Sequence, residues 1–459
     1  MAPKFGTSGL RGLVTELTAP LVRDYVTAFL TACPHGGAVH VGRDLRPSSP
    51  QIAGWVIDAV RAMGLTAVDC GAVPTPALAL SSMAEGAAAI MVTGSHIPAD
   101  RNGLKFYVPG GEILKEDEAR INAALGQTPP EAPLGAAETR DAAAGYLARY
   151  TGGFAADTLA GRTVGVYQHS SVARDLMVAV VEALGGRAVP IARSDTFIPV
   201  DTEALDPDTQ ALFAGWFAEH ALDVLISTDG DGDRPMVVDN ARRVVPGDVL
   251  GTLTARHLGA GVVCTPVSSN SMVADPVFGL RVERTRIGSP FVIAAMEAAR
   301  AAEPDAKVVG YEANGGFLLG FDTGALTPLM TRDCLLPILA PLAAAKAAGT
   351  TLAALIDALP PRFTAADRIA GIATERAQAF IADLTENSAA RAAFFTGCGA
   401  EVALDLTDGL RVTFEGGAVL HLRPSGNAPE FRCYAEADSR ETAATLVTRT
   451  LASLRARLG

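Results

Sequence analysis

The sequence is poor in charged residues, aromatic residues and cysteine for its length of 459 residues. Charged residues make up 19% and aromatic residues 6%, while hydrophobic residues make up 49%. This composition excludes a disordered tail, a coiled coil and a collagen-like fibre. Because 50 acidic residues outnumber 38 basic ones, the formal net charge is −12, and we expect neither nucleic acid nor an anionic membrane as a partner.

The cysteines and the apolar segments indicate the compartment. The six cysteines lie far apart with no C-x-x-C spacing, which predicts reduced thiols and no disulfide framework or zinc site. The longest apolar run, around residues 334–345, contains Pro337 and Pro341 and is shorter than the ~20 residues that span a bilayer. The first residues hold no apolar stretch typical of a signal peptide. We therefore expect a cytoplasmic protein.

One strand–turn–helix–strand pattern occurs three times along the chain. Each copy has a buried-looking strand, a Ser-Ser turn, an apolar segment in the helix position and a second strand. The first copy has a strand at 38–42, the turn Ser48-Ser49, a helix at 52–63 and a strand at 66–68. The second has a strand at 163–166, the turn Ser170-Ser171, a helix at 176–184 and a strand at 188–189. The third is weaker, with a strand at 262–264, the turn Ser268-Ser269, a short apolar segment from Met272 and a strand at 280–282. Because strand–helix–strand order implies parallel pairing through crossovers, the pattern predicts three related mixed α/β domains.

Proline-rich and polar segments predict the domain boundaries. Residues 127–133, the turn 240–243 before a helix that begins near Pro246, and Pro360-Pro361 separate the copies. Beyond Arg362 the pattern changes to strands at 401–406, 410–414, 418–422 and 430–437 and a helix at 441–458, which is typical of a smaller α+β domain with an antiparallel sheet. We predict domains at 1–135, 136–243, 244–361 and 362–459 around a central cleft.

The segment 224–234 is the most informative motif. A buried-looking strand, Val-Leu-Ile-Ser-Thr, is followed by Asp229, Asp231 and Asp233 with glycines between them, and then by Arg234. Three clustered carboxylates repel one another, so this spacing indicates a divalent cation, with Mg²⁺ the usual one near phosphates. The EF-hand spacing does not fit, and an acidic surface turn is the alternative.

A second strand ends at a possible nucleophile. The strand 87–92 leads into Thr-Gly-Ser-His, which presents Ser95 beside His96, and Lys105 follows close enough to return to the same place. The turn is not the Gly-x-Ser-x-Gly elbow of hydrolases. Taken alone, Ser95 could be an ordinary turn or capping serine, and Lys105 a surface charge.

A third loop, at 423–432, has the composition of an anion site. It is rich in Ser, Gly and Asn and is bracketed by Arg423 and Arg432. Exposed backbone amides and guanidinium groups bind phosphate oxygens, although a plain loop between strands remains the alternative. The loop lacks the Gly-Lys-Ser/Thr ending of a nucleotide-binding P-loop.

A fourth loop, after the strand 308–311, presents Glu312 and Asn314. A carboxylate and a carboxamide suit hydroxyl-bearing ligands, but a structural turn explains the pattern equally well.

The four loops are more informative together, because one lies in each predicted domain and each follows a strand. Ligands of open α/β sheets bind beyond the carboxyl ends of the strands. A serine, a metal site, polyol contacts and a phosphate nest together indicate phosphoryl transfer through a phosphoserine on a phosphorylated sugar. A metal-dependent phosphatase and a non-enzymatic sugar-phosphate binding protein are the alternative functions.

These motifs together resemble the α-D-phosphohexomutase family, which includes phosphomannomutases, phosphoglucomutases and phosphoglucosamine mutases. The resemblance covers nearly the whole chain in the expected order. It is carried by 5–12 (Phe-Gly-Thr-Ser-Gly-Leu-Arg-Gly), 93–96 (Thr-Gly-Ser-His), 229–234 (Asp-Gly-Asp-Gly-Asp-Arg), 310–316 (Gly-Tyr-Glu-Ala-Asn-Gly-Gly) and 423–427 (Arg-Pro-Ser-Gly-Asn). The family fold, three related α/β domains and a different fourth domain around a cleft, matches the domain prediction above.

The resemblance implies a role for each motif residue. Ser95 would be the phosphoserine, and one of its phosphate oxygens would complete the Mg²⁺ site of Asp229, Asp231 and Asp233. Lys105 and Arg11 would serve proton transfer and charge stabilisation, with His96 beside the serine. The remaining residues would contact the substrate: Arg234 the transferring group, Glu312 and Asn314 the sugar hydroxyls, and Arg423, Ser425, Asn427 and Arg432 the other phosphate, with Arg286 assisting.

The implied reaction interconverts a hexose 1-phosphate and a hexose 6-phosphate through a bound hexose 1,6-bisphosphate. The sugar loop and the segment 427–432 look most like phosphomannomutases, so mannose phosphates are the expected substrates; a phosphoglucomutase or a dual-specificity mutase is the alternative. Gly316 and Ser289 stand where several relatives have histidines, so the acid–base role of those histidines is missing here. The phosphate loop also departs from the commoner Ser-Gly-Thr-Glu-Pro form. The sequence gives no indication of the oligomeric state.

Overall fold

A computed structural model describes residues 3–6, 9–128, 131–425 and 430–458 of the chain. The chain divides into two compact units, described separately below. Unit 1 comprises Met1–Val263 and Ser289–Ile356, and unit 2 comprises Cys264–Gly288 and Asp357–Gly459. The four domain boundaries predicted from the sequence remain predictions.

The first part of unit 1 is a mixed sheet covered by helices. Its strands are β1 (Lys4–Phe5), β2 (Leu10–Leu13), β3 (Ala38–Arg43), β4 (Thr66–Ala72), β5 (Ala88–Val92), β6 (Arg101–Val108), β7 (Gly111–Glu112) and β8 (Ala137–Thr139). Its helices are α1 (Ala19–Ala32), α2 (Ser49–Ala62), α3 (Thr75–Ala84) and α4 (Lys115–Ala123). The strand order is β1-β2-β6-β5-β3-β4-β8, with β7 beside β6.

The sequence pattern explains why these elements form. Strand β5 is buried along its whole length, which suits its unbroken apolar sequence Ala-Ala-Ile-Met-Val. Helix α2 buries Ile52, Val56 and Val60 on one face, each four residues from the next. It ends before Gly64, whose φ of +78° is a left-handed conformation that favours glycine.

The same strand arrangement recurs in the second part of unit 1. Its elements are α5 (Ala142–Gly153), β9 (Thr163–His169), α6 (Arg174–Ala183), β10 (Arg187–Arg193), α7 (Pro207–His220), β11 (Val224–Thr228), β12 (Pro235–Val238) and α8 (Gly247–His257). The order β10-β9-β11-β12 has two parallel pairs followed by an antiparallel one. The run β4-β3-β5-β6 has the same order and directions, which confirms the predicted repeat for its first two copies.

The third copy departs from the pattern. Its elements are β13 (Val262–Pro266), β14 (Arg281–Thr285), α9 (Ser289–Ala302), β15 (Val308–Tyr311), β16 (Phe317–Leu319), β17 (Leu329–Asp333), α10 (Leu335–Ala347) and α11 (Leu352–Asp357). Within unit 1, β15, β16 and β17 pair antiparallel. Where the pattern places a helix after Met272, the structure has two 3₁₀ turns, Ser271–Ala274 and Pro276–Phe278. Asp275 between them is extended (ψ 134°), as expected for a residue before proline, so no α-helix continues through it.

Unit 2 contains the antiparallel sheet predicted for the C-terminal part. Its elements there are β18 (Phe363–Ala370), α12 (Thr374–Glu386), α13 (Ser388–Phe394), β19 (Glu401–Asp405), β20 (Leu410–Phe414), β21 (Val419–Pro424), β22 (Glu430–Ala437) and α14 (Arg440–Leu458). The strand order is β18-β22-β21-β20-β19. The core packs Leu420, Leu422 and Phe431 of the sheet with Leu451 and Leu454 of α14.

In the part of the chain that the structure describes, no helix has both the length and the hydrophobicity needed to cross a membrane. The apolar segment around residues 334–345 forms α10, which contains Pro341 and packs against α8.

Candidate active site

Three loops of unit 1 occupy equivalent places in the repeated strand pattern. Each follows the third strand of its copy and precedes that strand's antiparallel neighbour. They are the serine loop between β5 and β6, the aspartate loop between β11 and β12, and the sugar loop between β15 and β16. Each of the three loops therefore follows a buried strand and carries predicted site residues.

Ser95 is buried and contacts the aspartate loop. Only 1% of its surface is exposed, as for residues of the hydrophobic core. Its Oγ donates a hydrogen bond to Oδ2 of Asp229 at 2.7 Å. Ser95 has a φ of +54°, a left-handed conformation uncommon outside glycine, asparagine and aspartate. Its backbone N–H donates to Oγ1 of Thr93 at 2.8 Å, which helps to hold that conformation.

The aspartate loop brings three carboxylates together in a buried place. Asp229, Asp231 and Asp233 each offer an oxygen within 4.8 Å of the others, and none of the three is exposed to solvent. The backbone amides of Asp233 and Arg234 both donate to Oδ1 of Asp229, and Gly232 makes the turn with a φ of +71°. Such burial excludes an acidic surface turn.

The three carboxylates differ in their pKa values. Burial, together with the charges of Asp231 and Asp233, raises the pKa of Asp229 well above its usual range. Burial also opposes ionisation of Asp231, but the charge and hydrogen bond of Lys105 outweigh it and lower the pKa of that carboxyl. Thr75 stabilises the same ionised form, because its Oγ1 donates to Oδ2 of Asp231 at 2.7 Å.

Two oxygens of the aspartate loop are available to a ligand. Among the described residues, Oδ1 of Asp231 and Oδ1 of Asp233 are buried without a hydrogen-bond partner. An unpaired buried carboxylate oxygen is costly, so these atoms fit a cation that the loop would hold with Asp229.

Lys105 lies inside this cluster. It is on β6, opposite Met91 of β5, and is 4% exposed. Its Nζ lies 2.6 Å from Oδ2 of Asp231 and 2.6 Å from Oδ2 of Asp233. The surface-charge alternative for Lys105 is therefore wrong.

Two arginines lie near the carboxylates: Arg234 is buried, and Arg11 is half-buried. Arg234 has its Nε 4.0 Å from Oδ2 of Asp229 and 3.9 Å from Oδ1 of Asp233, but this Nε has no hydrogen-bond partner among the described residues. For Arg11, burial and the charges of Arg234 and Arg332 lower the pKa to about 10. Positive charge is therefore concentrated beside the carboxylates.

His96 stays uncharged beside the serine. Its Nδ1 lies 3.3 Å from Oγ of Ser95. Burial, followed by the charges of Arg234 and Arg11, lowers the pKa of the imidazole to about 2. A neutral ring therefore faces the serine hydroxyl at physiological pH.

The sugar loop presents one carboxylate and one amide. Glu312 is 6% exposed, and burial raises its pKa. In the described part of the chain its Oε2 accepts no hydrogen bond, whereas Oδ1 of Asn314 accepts one from the N–H of Gly316 at 2.9 Å. Glu312 therefore has acceptor capacity for a ligand hydroxyl, and Asn314 shapes the loop.

Sequence reasoning missed Arg332, which connects two of these loops. It is on β17, is 3% exposed, and has its Nη2 2.9 Å from Oδ2 of Asp233 and its Nη1 3.7 Å from Oε2 of Glu312. Burial alone would lower the pKa of Arg332, but the carboxylates of Asp233, Glu112 and Glu312 raise it well above its usual value. The strand reads Leu-Met-Thr-Arg-Asp, and nothing in that local sequence distinguishes Arg332 from a surface arginine.

The predicted phosphate loop belongs to unit 2. Arg423 and Arg432 lie opposite each other on β21 and β22. Arg423 pairs with Asp408 at 2.9 Å and Arg432 with Glu430 at 3.5 Å. Like charges on directly opposed residues are unfavourable, so an anion shared by the two guanidinium groups would stabilise this part of the sheet.

Three other predicted residues belong to this part of the chain. Ser425 is 3% exposed, and its N–H donates to the carbonyl of Glu430 at 2.8 Å. Asn427 lies outside the described residues. Arg286 is exposed, and the N–H of its neighbour Ile287 donates to Oδ2 of Asp408 at 3.0 Å, the same oxygen that pairs with Arg423.

Comparisons with known proteins identify the family. Three models of phosphoglucomutase/phosphomannomutase domains match the chain: alpha/beta/alpha domain I at residues 2–130, alpha/beta/alpha domain III at 246–363, and the C-terminal domain at 372–453. A phosphomannomutase from Sinorhizobium fredii is 45% identical over 471 residues, which cover 99% of this chain and 99% of the relative. A phosphomannomutase from Salmonella muenchen is 42% identical over 465 residues, which cover 99% of this chain and 96% of the relative.

More distant proteins share the fold or carry other names. The solved structure of a phosphoglucomutase/phosphomannomutase family protein from Burkholderia thailandensis covers 98% of this chain and 97% of its own, with a TM-score of 0.78 at 23% identity. A phosphoglucosamine mutase from Rhodococcus erythropolis is 29% identical over 461 residues, covering 95% of this chain and 96% of its own. An Aspergillus fumigatus N-acetylphosphoglucosamine mutase, solved in complex with GlcNAc-6P and magnesium, covers 100% of this chain and 96% of its own, with a TM-score of 0.61 at 15% identity.

The chain belongs to the phosphoglucomutase/phosphomannomutase family. This membership confirms the family resemblance and the predicted α/β fold class. It also confirms the predicted class of enzyme, an intramolecular phosphotransferase that acts as a hexose phosphate mutase.

Proposed function

We propose that the protein interconverts mannose 1-phosphate and mannose 6-phosphate through a phosphorylated Ser95 and a bound hexose 1,6-bisphosphate. The observation that carries this proposal is the hydrogen bond of 2.7 Å between Oγ of Ser95 and Asp229. It joins the candidate nucleophile to a buried three-carboxylate cluster, although the two residues are 134 positions apart in the chain. Unrelated roles for a turn serine and an acidic turn would not account for this contact.

The aspartate loop fits Mg²⁺. Asp229, Asp231 and Asp233 would hold the ion, with an oxygen of phosphorylated Ser95 as a further ligand. When bound, the dication would offset the repulsion among the three carboxylates and would supply stabilisation of the negative charge on the transferring phosphoryl group. Within the described residues, Oδ1 of Asp231 and Oδ1 of Asp233 accept no hydrogen bond, which supports this assignment.

In the first transfer, the P–O bond to Oγ of phosphorylated Ser95 breaks while the free hydroxyl oxygen of the hexose 1-phosphate loses its proton and forms a new P–O bond, and Oγ of Ser95 takes up a proton. The product is a bound bisphosphate. In the second transfer, the phosphoryl group that was on C1 passes to Oγ of Ser95, leaving hexose 6-phosphate and a phosphorylated enzyme. The hexose 1,6-bisphosphate also restores the phosphoserine when it is lost, which is the activator role we assign to it.

Cations beside the aspartate loop stabilise the transferring group. The Nε of Arg234 donates no hydrogen bond to any of the described residues, so it can donate to an equatorial phosphoryl oxygen, where negative charge is concentrated. Arg11 and Lys105 add positive charge on the same side, and we assign them charge stabilisation and proton transfer at the reacting hydroxyl. Neutral His96 lies within hydrogen-bonding distance of Oγ of Ser95.

The substrate contacts are divided between two sets of residues. Glu312, whose Oε2 accepts no hydrogen bond from the residues that the structure describes, accepts hydrogen bonds from sugar hydroxyls, and Asn314 contacts the sugar beside it. Arg423, Ser425, Asn427 and Arg432 are assigned to the phosphate that is not reacting, with Arg286 assisting. The cross-strand pairing of Arg423 with Arg432 supports an anion there.

The preference for mannose rests on similarity over the full chain. The two relatives named phosphomannomutase are 45% and 42% identical, whereas the relative named phosphoglucosamine mutase is 29% identical. Mannose and glucose differ only at C2, so the hexose is the part of this proposal that needs a direct assay.

The test compares the purified protein on mannose, glucose and glucosamine 1-phosphates with Mg²⁺ and a trace of the matching bisphosphate. We expect formation of 6-phosphates, with the highest kcat/KM for mannose 1-phosphate. Ser95→Ala should abolish turnover and should lose the added mass of one phosphoryl group on the intact protein. Ser388→Ala, which changes an exposed serine of unit 2, is the matched control and should keep full activity. Release of free phosphate without isomer formation would instead identify a phosphatase.

A further inference from the structure

The serine loop is held by a single buried arginine, Arg46, to which neither the sequence motifs nor the reaction assigns a role. Arg46 follows β3 and is 1% exposed. A guanidinium group has five N–H donors, and the side chain of Arg46 makes five hydrogen bonds. Its Nε donates to Oδ2 of Asp44 at 3.0 Å, and its Nη1 and Nη2 donate to four backbone carbonyls.

Three of the four carbonyls belong to the serine loop, and the fourth belongs to Arg101, the first residue of β6. Nη2 donates to the carbonyls of Ser95 at 2.7 Å and Ile97 at 2.6 Å. Nη1 donates to those of Pro98 at 2.6 Å and Arg101 at 3.0 Å. Since every donor is used within the protein, Arg46 has none left for substrate and cannot be a substrate-binding residue.

The arginine also determines how closely the backbone can pass. A Cβ placed on Gly94 would lie 2.7 Å from Cζ of Arg46, so a side chain at this position would displace the guanidinium group from its hydrogen bonds. Asp44 adds a second tie, because its Oδ2 accepts hydrogen bonds from Oγ1 of Thr93 at 2.8 Å and from the N–H of Gly94 at 3.4 Å. The left-handed φ of Ser95 is thus imposed by its surroundings.

An aromatic side chain from the second part of unit 1 packs against Arg46. The ring of Phe197, which is 7% exposed, lies with its centroid 4.1 Å from Cζ of Arg46, a cation–π contact. The same ring lies against the aspartate loop, because a Cβ on Gly230 would be 3.0 Å from Phe197 and 3.2 Å from the carbonyl oxygen of Ser95. Phe197 therefore contacts both the arginine and the loop that receives the hydrogen bond of Ser95.

We propose that Arg46 and Phe197 are positioning residues, which together fix Oγ of Ser95 against the aspartate loop for phosphoryl transfer. The kinetic consequence of this inference rests on the proposed function. The ordering of the serine loop by these two side chains is independent of that function. A displacement of about 1 Å at a reacting atom can lower a rate by about 100-fold.

The experiment uses Arg46→Lys, Phe197→Leu and a control, Arg61→Lys. Lysine keeps the charge but has three donors in place of five, and leucine keeps apolar volume without the ring. Arg61 is a matched control because its Nε donates to the single carbonyl of Gly135 at 2.9 Å, away from the serine loop. For Arg46→Lys we expect kcat to fall by about 100-fold and KM to change by less than about threefold, because the loss is in the alignment of Ser95.

Phe197→Leu should lower kcat by about tenfold, because the variant loses the free energy of one buried cation–π contact that orders the serine loop. If Arg46→Lys fails to fold, Phe197→Leu alone carries the kinetic test. Amide hydrogen exchange gives the second readout: both variants should exchange faster at residues 94–101 and keep wild-type protection in β3 and β5. Arg61→Lys should match the wild type in kcat and in exchange at 94–101.

Two results would overturn the inference. One is a kcat for Arg46→Lys and Phe197→Leu within about threefold of Arg61→Lys. The other is faster exchange throughout the first sheet in both variants, which would mean that the two side chains only stabilise the fold. A wild-type protein without mutase turnover would refute the proposed function instead, while the exchange at 94–101 would still test the ordering of the loop.

Discussion

The ammonium group of Lys105 lies 2.6 Å from Oδ2 of Asp231, although the two residues are 126 positions apart. Lys105 belongs to the sheet that carries the serine loop, and Asp231 belongs to the loop of the next sheet. The lysine pairs equally closely with Asp233, so it offsets part of the negative charge of the cluster and ties the two loops together. Their alignment depends on this ion pair as well as on the contacts of Ser95.

Lys105→Met should lower kcat by about 100-fold or more, because it removes both the charge at the reacting hydroxyl and a candidate for proton transfer. Methionine keeps the length and the apolar stem of lysine. Steady-state kinetics on mannose 1-phosphate measures the effect. Lys115→Met, which removes a partly exposed lysine paired with Glu118, should stay close to the wild type. A kcat for Lys105→Met within threefold of that control would contradict the role assigned to Lys105.

Removing the metal should abolish turnover, and adding Mg²⁺ back should restore it. Asp231→Asn and Asp233→Asn should each raise the Mg²⁺ concentration needed for half-maximal activity by more than about tenfold, since each removes a charged ligand. Mg²⁺ should also raise the melting temperature of the wild type, because a ligand that binds only the native state stabilises it.

The control for the metal site is Asp195→Asn, since the side chain of Asp195 is 99% exposed. It should leave the Mg²⁺ requirement unchanged. Full activity of the wild type in excess chelator, or an unchanged Mg²⁺ requirement in both variants of the aspartate loop, would refute the metal assignment.

Gly316→Ala should disturb the sugar loop through Arg332. A Cβ at this position would lie 2.8 Å from Cγ and Cδ of Arg332 and 3.0 Å from its Cβ, so the arginine must move away from Asp233 and Glu312. We expect kcat/KM to fall by about tenfold or more, as a displaced contact in a buried site costs of order 1–3 kcal/mol. Gly54→Ala, at a helical position with nothing within 4 Å, should keep wild-type kinetics. Equal kcat/KM in the two variants would show that Arg332 has no such role.

Local patterns were enough to predict the loops that carry the chemistry. The buried strand before Ser95 and the buried strand before Asp229 are visible in the sequence, because an unbroken apolar run that ends at polar residues marks a strand end in an α/β sheet. The repeat placed these loops in equivalent positions, and the structure confirms the strand order for the first two copies.

The residues that were missed act through contacts distant in sequence. Arg332 meets Asp233 from β17, and Arg46 meets Phe197 from another repeat. A single arginine in a strand or a turn has no local signal that distinguishes it from a surface residue. Strand β18 was missed for a different reason: its sequence, Phe-Thr-Ala-Ala-Asp-Arg-Ile-Ala, lacks apolar alternation because most of the strand is not buried.

Acidification should destabilise unit 2 through His421. This histidine of β21 is 2% exposed, its Nε2 lies 2.6 Å from the carbonyl oxygen of Asp408, and its ring stacks on Tyr434. Burial lowers the pKa of His421 to about 4. Because the folded pKa is below the unfolded value of about 6.5, the unfolded chain binds more protons between these two values, and the free energy of unfolding falls as the pH is lowered from about 7.

At pH 5 the expected loss from this one group is about 2 kcal/mol relative to pH 8. Hydrogen exchange of the amides in β20 and β21, measured from pH 8 to pH 5 and corrected for intrinsic exchange, reports the free energy of opening of this sheet. His421→Gln does not titrate, and its amide can still donate to the carbonyl of Asp408, so it should remove about that much of the pH dependence. Parallel curves for the wild type and His421→Gln would mean that the buried imidazole does not govern the acid sensitivity of unit 2.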